Sequence, residues 1–86
     1  MAYDILIVDD EPDIRLLIDG ILRDEGYETR GAGDADAAVA SFRMRRPSLV
    51  ILDVWLQGSK LDGVGLLEAF HSEEPHVPVE IGRAHV

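Results

Sequence analysis

The chain has 86 residues, 8 Lys and Arg against 17 Asp and Glu, a formal charge of -9, 47% apolar residues and no cysteine. One modest core is all that such a length can bury. The acidic balance argues against nucleic acid and against an anionic membrane surface, and the lack of cysteine excludes disulfides and thiolate metal sites. Near the N-terminus the longest apolar run is Ile5-Leu6-Ile7-Val8, far too short for a membrane span or a signal-peptide core. The expectation is a soluble, cytoplasmic, single domain.

The first element is a strand over residues 4–8, apolar throughout after Asp4, as strands buried on both faces are. Asp9-Asp10-Glu11 and Pro12 follow, and proline with acidic neighbours suits the first turn of a helix. Ile14, Leu17, Ile18, Ile21 and Leu22 recur at helical spacing, and Gly26 is placed to cap the C-terminus. Residues 27–30 read as a weaker strand, punctuated by Gly31 and Gly33. Asp34 is placed to cap a helix over residues 35–46, with Ala35, Ala38, Val39 and Phe42 on one face and Pro47 after it.

Leu49-Val50-Ile51-Leu52 is a second wholly apolar strand, and it too ends in an acid, Asp53. A loop over residues 54–62 leads to a helix over residues 63–71. Asp62 is its expected cap, Val64, Leu67 and Phe70 its expected buried stripe, and Leu66 its margin. Val77-Pro78-Val79 opens a further strand. This alternation is the grammar of a parallel sheet covered on both faces. Ligands of such sheets sit beyond the carboxyl ends of the strands, where strand order reverses.

Acids end two of the most hydrophobic strands at that edge. With the strands in the order 2-1-3, Asp9, Asp10 and Asp53 converge. Clustered carboxylates repel unless a cation or protons intervene, and a hard oxygen-ligated ion, most simply Mg²⁺, answers that need. Such a pocket suits phosphoryl transfer, with a carboxylate as nucleophile. Either acidic signal alone would read as a solvated helix start or a turn. Their repetition after two apolar strands favours a site.

Val8-Asp9-Asp10-Glu11-Pro12, Leu49-Val50-Ile51-Leu52-Asp53 and Leu61-Asp62-Gly63 together resemble the receiver domain of two-component response regulators, the CheY-like family. The spacing from Asp53 to Asp62-Gly63, with Val54-Trp55-Leu56-Gln57-Gly58-Ser59-Lys60 between, is similar to the nitrogen-regulation, NtrX-like branch. The resemblance implies a doubly wound, flavodoxin-like α/β fold, three layers αβα, strand order 2-1-3-4. The end of strand four, helix four, strand five and helix five would be missing, and with them the elements through which receivers dimerise.

The same resemblance implies roles. Asp53 is the phospho-acceptor. Asp10 and Asp53, with the backbone carbonyl of Trp55, ligate Mg²⁺, and Asp9 acts mainly through water. Ile14, Arg15, Ile18 and Leu22 on the first helix meet a sensor histidine kinase or phosphotransfer protein. The implied activity is a phosphorelay switch that catalyses only its own phosphorylation. Neither nucleic acid nor a membrane is an expected partner of this segment. The sequence departs from the family in having no Ser or Thr after Val79 and no Lys other than Lys60. An aspartyl-phosphate phosphohydrolase is the alternative enzyme. It is weakened because Trp55 and Glu11 stand where its second Asp would follow Asp53 or Asp9. A fold-only interaction module is the third reading.

Other clusters read more plainly. Arg43, Arg45 and Arg46 suit a helix C-terminus, and His71 and His76 are expected on the surface. Glu80-Ile81-Gly82-Arg83-Ala84-His85-Val86 shows neither strand nor helix periodicity. Ile-Gly-Arg-Ala-His-Val is also the translation of ATC GGA AGA GCA CAC GTC, a common sequencing-library adapter. The expected division is therefore a partial receiver over residues 1–79 and a non-native tail over residues 80–86, with Glu80 at the junction.

Overall fold

The computed structural model describes residues 3–53 and 63–82. Its elements run β1 (Asp4–Val8), α1 (Pro12–Asp24), β2 (Glu28–Ala32), α2 (Ala35–Met44), β3 (Leu49–Asp53), α3 (Gly63–Glu73) and β4 (Val79–Gly82). The four strands are parallel and stand in the order β2-β1-β3-β4. This is the doubly wound arrangement expected from the alternating elements, with strand order reversing between β1 and β3.

Side chains alternate across the sheet, so each strand feeds two faces. Leu6 and Val8 of β1 and Val50 and Leu52 of β3 lie in one core with Ala38 and Phe42 of α2 and Leu66 and Phe70 of α3. The Phe42 and Phe70 rings stack at 4.5 Å with 16° between their planes. On the opposite face Ile5 and Ile7 are also buried, and there α1 lies across β1 and β2.

Local chemistry sets the helix ends. Pro12 opens α1, and the Arg15 N–H makes the first helical bond to the Glu11 carbonyl at 3.0 Å. At its C-terminus Gly26 takes φ 92°, the left-handed region that glycine enters without a Cβ clash. Gly26 N–H then bonds to the Arg23 carbonyl and Tyr27 N–H to the Leu22 carbonyl, a complete Schellman closure. Asp34 caps α2 as expected, its carboxylate accepting from Ala37 N–H at 2.7 Å.

Several boundaries and faces differ from the sequence reading. α2 stops at Met44, and β2 runs through Gly31 to Ala32. In α3, Leu66 is buried and Leu67 only partly so, because the helix turns its face to meet Phe42. The Val64 side chain and Asp62 lie outside the described residues. β4 starts at Val79 and continues through Glu80, Ile81 and Gly82, which pair with Ile51, Leu52 and Asp53. An edge ladder uses main-chain groups, so it accepts a stretch without strand periodicity.

The largest difference concerns α1. None of its residues is buried: Ile14, Ile18 and Leu22 are half-buried, while Leu17 and Ile21 are 60% and 56% exposed, with Leu16 at 70%. The periodic stripe is present, and among the described residues α1 packs chiefly on β1 and β2.

Candidate functional site

The acidic turn grows directly out of β1. Asp9 extends the β1–β2 ladder, its N–H donating to the Ala32 carbonyl at 3.0 Å. Its Oδ1 accepts from Glu11 N–H at 2.8 Å, the side-chain turn that aspartate favours. Its own carbonyl accepts from Arg15 Nη1 at 2.8 Å. Asp9 is therefore held at three points and is only 3% exposed, while Asp10 beside it is half-buried.

β3 is the hydrogen-bonded neighbour of β1, with Val8 paired to Leu52. The next residue of each strand path is Asp9 on one and Asp53 on the other. The fold therefore brings the acidic turn and Asp53 to the same edge, beyond the carboxyl ends of adjacent strands. The side chain of Asp53 and the whole of Trp55 and Lys60 lie outside the described residues. The donors at this edge are hard oxygens, the kind that Mg²⁺ selects. A carboxylate as deeply placed as Asp9 also needs compensating charge or hydrogen bonds. The residues present thus fit a Mg²⁺ ion.

The side chains assigned to a partner on α1 divide. Ile14, Ile18 and Leu22 are half-buried and keep part of their surface open. Arg15 points inward to the acidic turn, so it is engaged within the chain rather than displayed. The basic cluster is likewise engaged: Arg43 pairs with Glu73 at 2.9 Å, Arg46 with Glu74 at 2.7 Å and Arg45 with Asp4 at 3.0 Å. These pairs tie α2 to α3 and to β1, a role that a helix-dipole argument does not reveal. His71 and His76 are exposed.

The inward course of Arg15 toward the Asp9 carbonyl is not visible in helical periodicity. Gly31 and Gly33 carry its signal, since side chains there would meet Arg15.

A family profile described as the response regulator receiver domain matches residues 5–85. The chain belongs to the response regulator receiver family. It is 59% identical over 85 residues to the nitrogen assimilation regulatory protein NtrX of Azorhizobium caulinodans, covering 99% of this chain and 19% of that protein. The crystal structure of the receiver domain of NtrX from Brucella abortus superposes with a TM-score of 0.83 at 58% identity, over 91% of this chain and 65% of that one. TrrA of Thermotoga maritima, solved with Mg²⁺ and BeF, matches at 33% identity and TM-score 0.77, over 92% of this chain and 65% of its own. In complex with the histidine kinase ThkA, TrrA matches at 31% identity and TM-score 0.83, over 98% of this chain and 71% of that one.

The chain thus spans less than a fifth of the full-length NtrX relative and about two thirds of a solved receiver domain. It is a receiver of the two-component type, similar to NtrX, and its sheet order is that of the CheY-like fold. No helix among the described residues is long and apolar enough to cross a membrane.

Proposed function

We propose that this receiver accepts a phosphoryl group on Asp53 from the phosphohistidine of a sensor kinase or phosphotransfer protein in the cytoplasm. The observation that carries the reading is the pairing of β1 with β3, which sets the Asp9-Asp10 turn beside the end of the strand that carries Asp53. An Asp53 carboxylate oxygen attacks phosphorus, the P–N bond breaks, and the imidazole leaves. Asp10, Asp53 and the Trp55 carbonyl would hold Mg²⁺, with Asp9 acting through water. When bound, the ion neutralises charge on the transferring group. Asp9 and Asp10 fix the ligand geometry, and the three hydrogen bonds on Asp9 keep that turn from drifting. In the Thermotoga relative the combination with Mg²⁺ and BeF, and with a histidine kinase, supports the same reading. Ile14, Ile18 and Leu22 on α1, with the more exposed Leu16, Leu17 and Ile21, form the surface proposed for the partner.

The test is incubation with Mg²⁺ and a small acyl phosphate, followed by intact mass. One added phosphoryl group is expected, absent in Asp53→Asn and in the presence of a chelator. Addition that survives Asp53→Asn would move the acceptor elsewhere. Steady release of phosphate over many turnovers would favour a phosphohydrolase.

We also propose that Ile81–Val86 derive from adapter sequence, with Glu80 at the junction. The support is the in-frame identity of these six residues with the adapter translation; the receiver profile itself runs on through residue 85. Genomic DNA in which these codons continue as native sequence would overturn it.

A further inference from the structure

We infer that Arg15 is a positioning residue for the acidic site, acting through the main chain of Asp9. The inference rests on the Mg²⁺ reading above and names a residue of this chain that sets its geometry.

Arg15 starts in the first turns of α1 and runs over the end of β2 to reach the β1–α1 turn. Its path is cleared by glycines. A Cβ built at Gly31 would stand 3.0 Å from Arg15 Cδ, and one built at Gly33 would stand 2.8 Å from Arg15 Nη1. Real Cβ atoms essentially never make the second contact, so a side chain at Gly33 forces Arg15 Nη1 to shift from its place. That guanidinium donates to the Asp9 carbonyl at 2.8 Å. A charged planar donor holds a carbonyl more firmly than a neutral one.

The anchored carbonyl belongs to the peptide that joins Asp9 to Asp10. Fixing its plane fixes the direction in which Asp10 leaves the strand. Without Arg15, Asp9 keeps its N–H bond to the Ala32 carbonyl and its carboxylate bond from Glu11 N–H, but the Asp9–Asp10 peptide loses the charged donor on its carbonyl. Three elements thereby converge on one atom: α1 supplies the donor, β2 supplies the clearance, and β1 supplies the acceptor.

The test measures two quantities on the full chain. Amide NMR of Asp10 and Glu11 without Mg²⁺ reports the turn itself. Mg²⁺ titration, followed through the single tryptophan Trp55, reports the site. Arg15→Gln and Gly33→Ala should each shift the Asp10 and Glu11 amides and weaken Mg²⁺ binding about tenfold, the range seen when supporting groups behind metal ligands are removed.

The double variant should be no weaker than Arg15→Gln alone, because Gly33→Ala acts through the shift it forces on Arg15. Arg15→Lys, which retains a cationic donor, should recover part of the loss. Arg46→Ala, at an exposed ion pair, should leave both readouts unchanged. Gly33→Ala retains every side chain and guards against a result due to unfolding. Unchanged amides and Mg²⁺ affinity in both single variants, or losses that add in the double variant, would overturn the role of Arg15. A parent chain with no response to Mg²⁺ would sink the cation reading alone, while the amide shifts would still decide whether Arg15 holds the turn.

Discussion

Arg30 of β2 grips Asp4 of β1 with a forked pair of bonds, Nη2 to Oδ2 at 2.8 Å and Nε to Oδ1 at 3.0 Å. The same guanidinium donates to the Ser41 carbonyl and the Arg45 carbonyl, each at 2.7 Å, so it also fastens the C-terminal end of α2 beneath the sheet. The pair is largely shielded, with side-chain exposures of 19% and 15%. Removing Arg30 takes two bonds from the shielded Asp4 carboxylate, leaving it the one from Arg45, and one each from the Ser41 and Arg45 carbonyls. Arg30→Met should therefore destabilise the chain by about 2 kcal/mol. Arg46→Ala, at the exposed pair with Glu74, should cost less than about 0.5 kcal/mol. Urea midpoints of the two variants check the contrast.

Phe70 is fully buried and stacks on Phe42, and this is the main apolar link between α2 and α3. Phe70→Ala should cost about 3–5 kcal/mol, the range for a large ring removed from a packed core. Phe70→Leu should recover much of it. Retention of a cooperative melt at the parent temperature in Phe70→Ala would show that α3 contributes little to the core.

Asp19 of α1 supplies a pH dependence. The Thr29 hydroxyl donating to its Oδ1 is the main cause that holds this carboxyl below the usual 3.8, with Arg23 second and burial opposing. Its folded value is depressed, so the stability it lends is fully present above 3.8 and disappears as pH falls through the folded value. Thr29→Val removes the main cause. The stability gap between parent and Thr29→Val should be widest near neutrality and should shrink below about pH 4. Added salt should weaken only the Arg23 share, since that guanidinium is largely exposed. A gap that stays constant into acid would mean that the Thr29 hydroxyl acts through packing alone.

Leu16, Leu17 and Ile21 leave an apolar face on α1 open to water. Exposed patches of this kind promote association, and a helix without a buried residue adds little to stability. The chain alone should bind a hydrophobic dye, melt broadly and associate as its concentration rises. Leu17→Gln with Ile21→Gln should reduce association and shift the melting midpoint little, because both side chains are exposed already. A sharp melt without dye binding would show that this face is covered in solution.

Much of the fold was legible from local pattern. Gly26 and Asp34 act at the helix ends where they were placed, because capping depends on a few neighbouring backbone groups. The two apolar runs, residues 5–8 and 49–52, became adjacent parallel strands, because residues apolar on both faces need cover on both sides. Less legible were the faces. Leu66 lies in the core because of where α3 meets Phe42, and α1 keeps Leu17 and Ile21 in water because it packs chiefly on β1 and β2 with its other side turned away. Periodicity tells which residues share a stripe, and only the neighbours decide how much of it is covered.

The sequence by itself determined the order of strands and helices and the placing of acids after two apolar strands, because periods of 2 and 3.6 residues and cap chemistry are local properties. The tertiary structure decided what those pieces meet. Arg30 lies 26 positions from Asp4, and Arg15 finds the Asp9 carbonyl through a path that glycines in β2 and just beyond its end keep open. Such contacts depend on the register of β1 against β2 and on the height at which α1 crosses them. These distances arise only when remote segments pack.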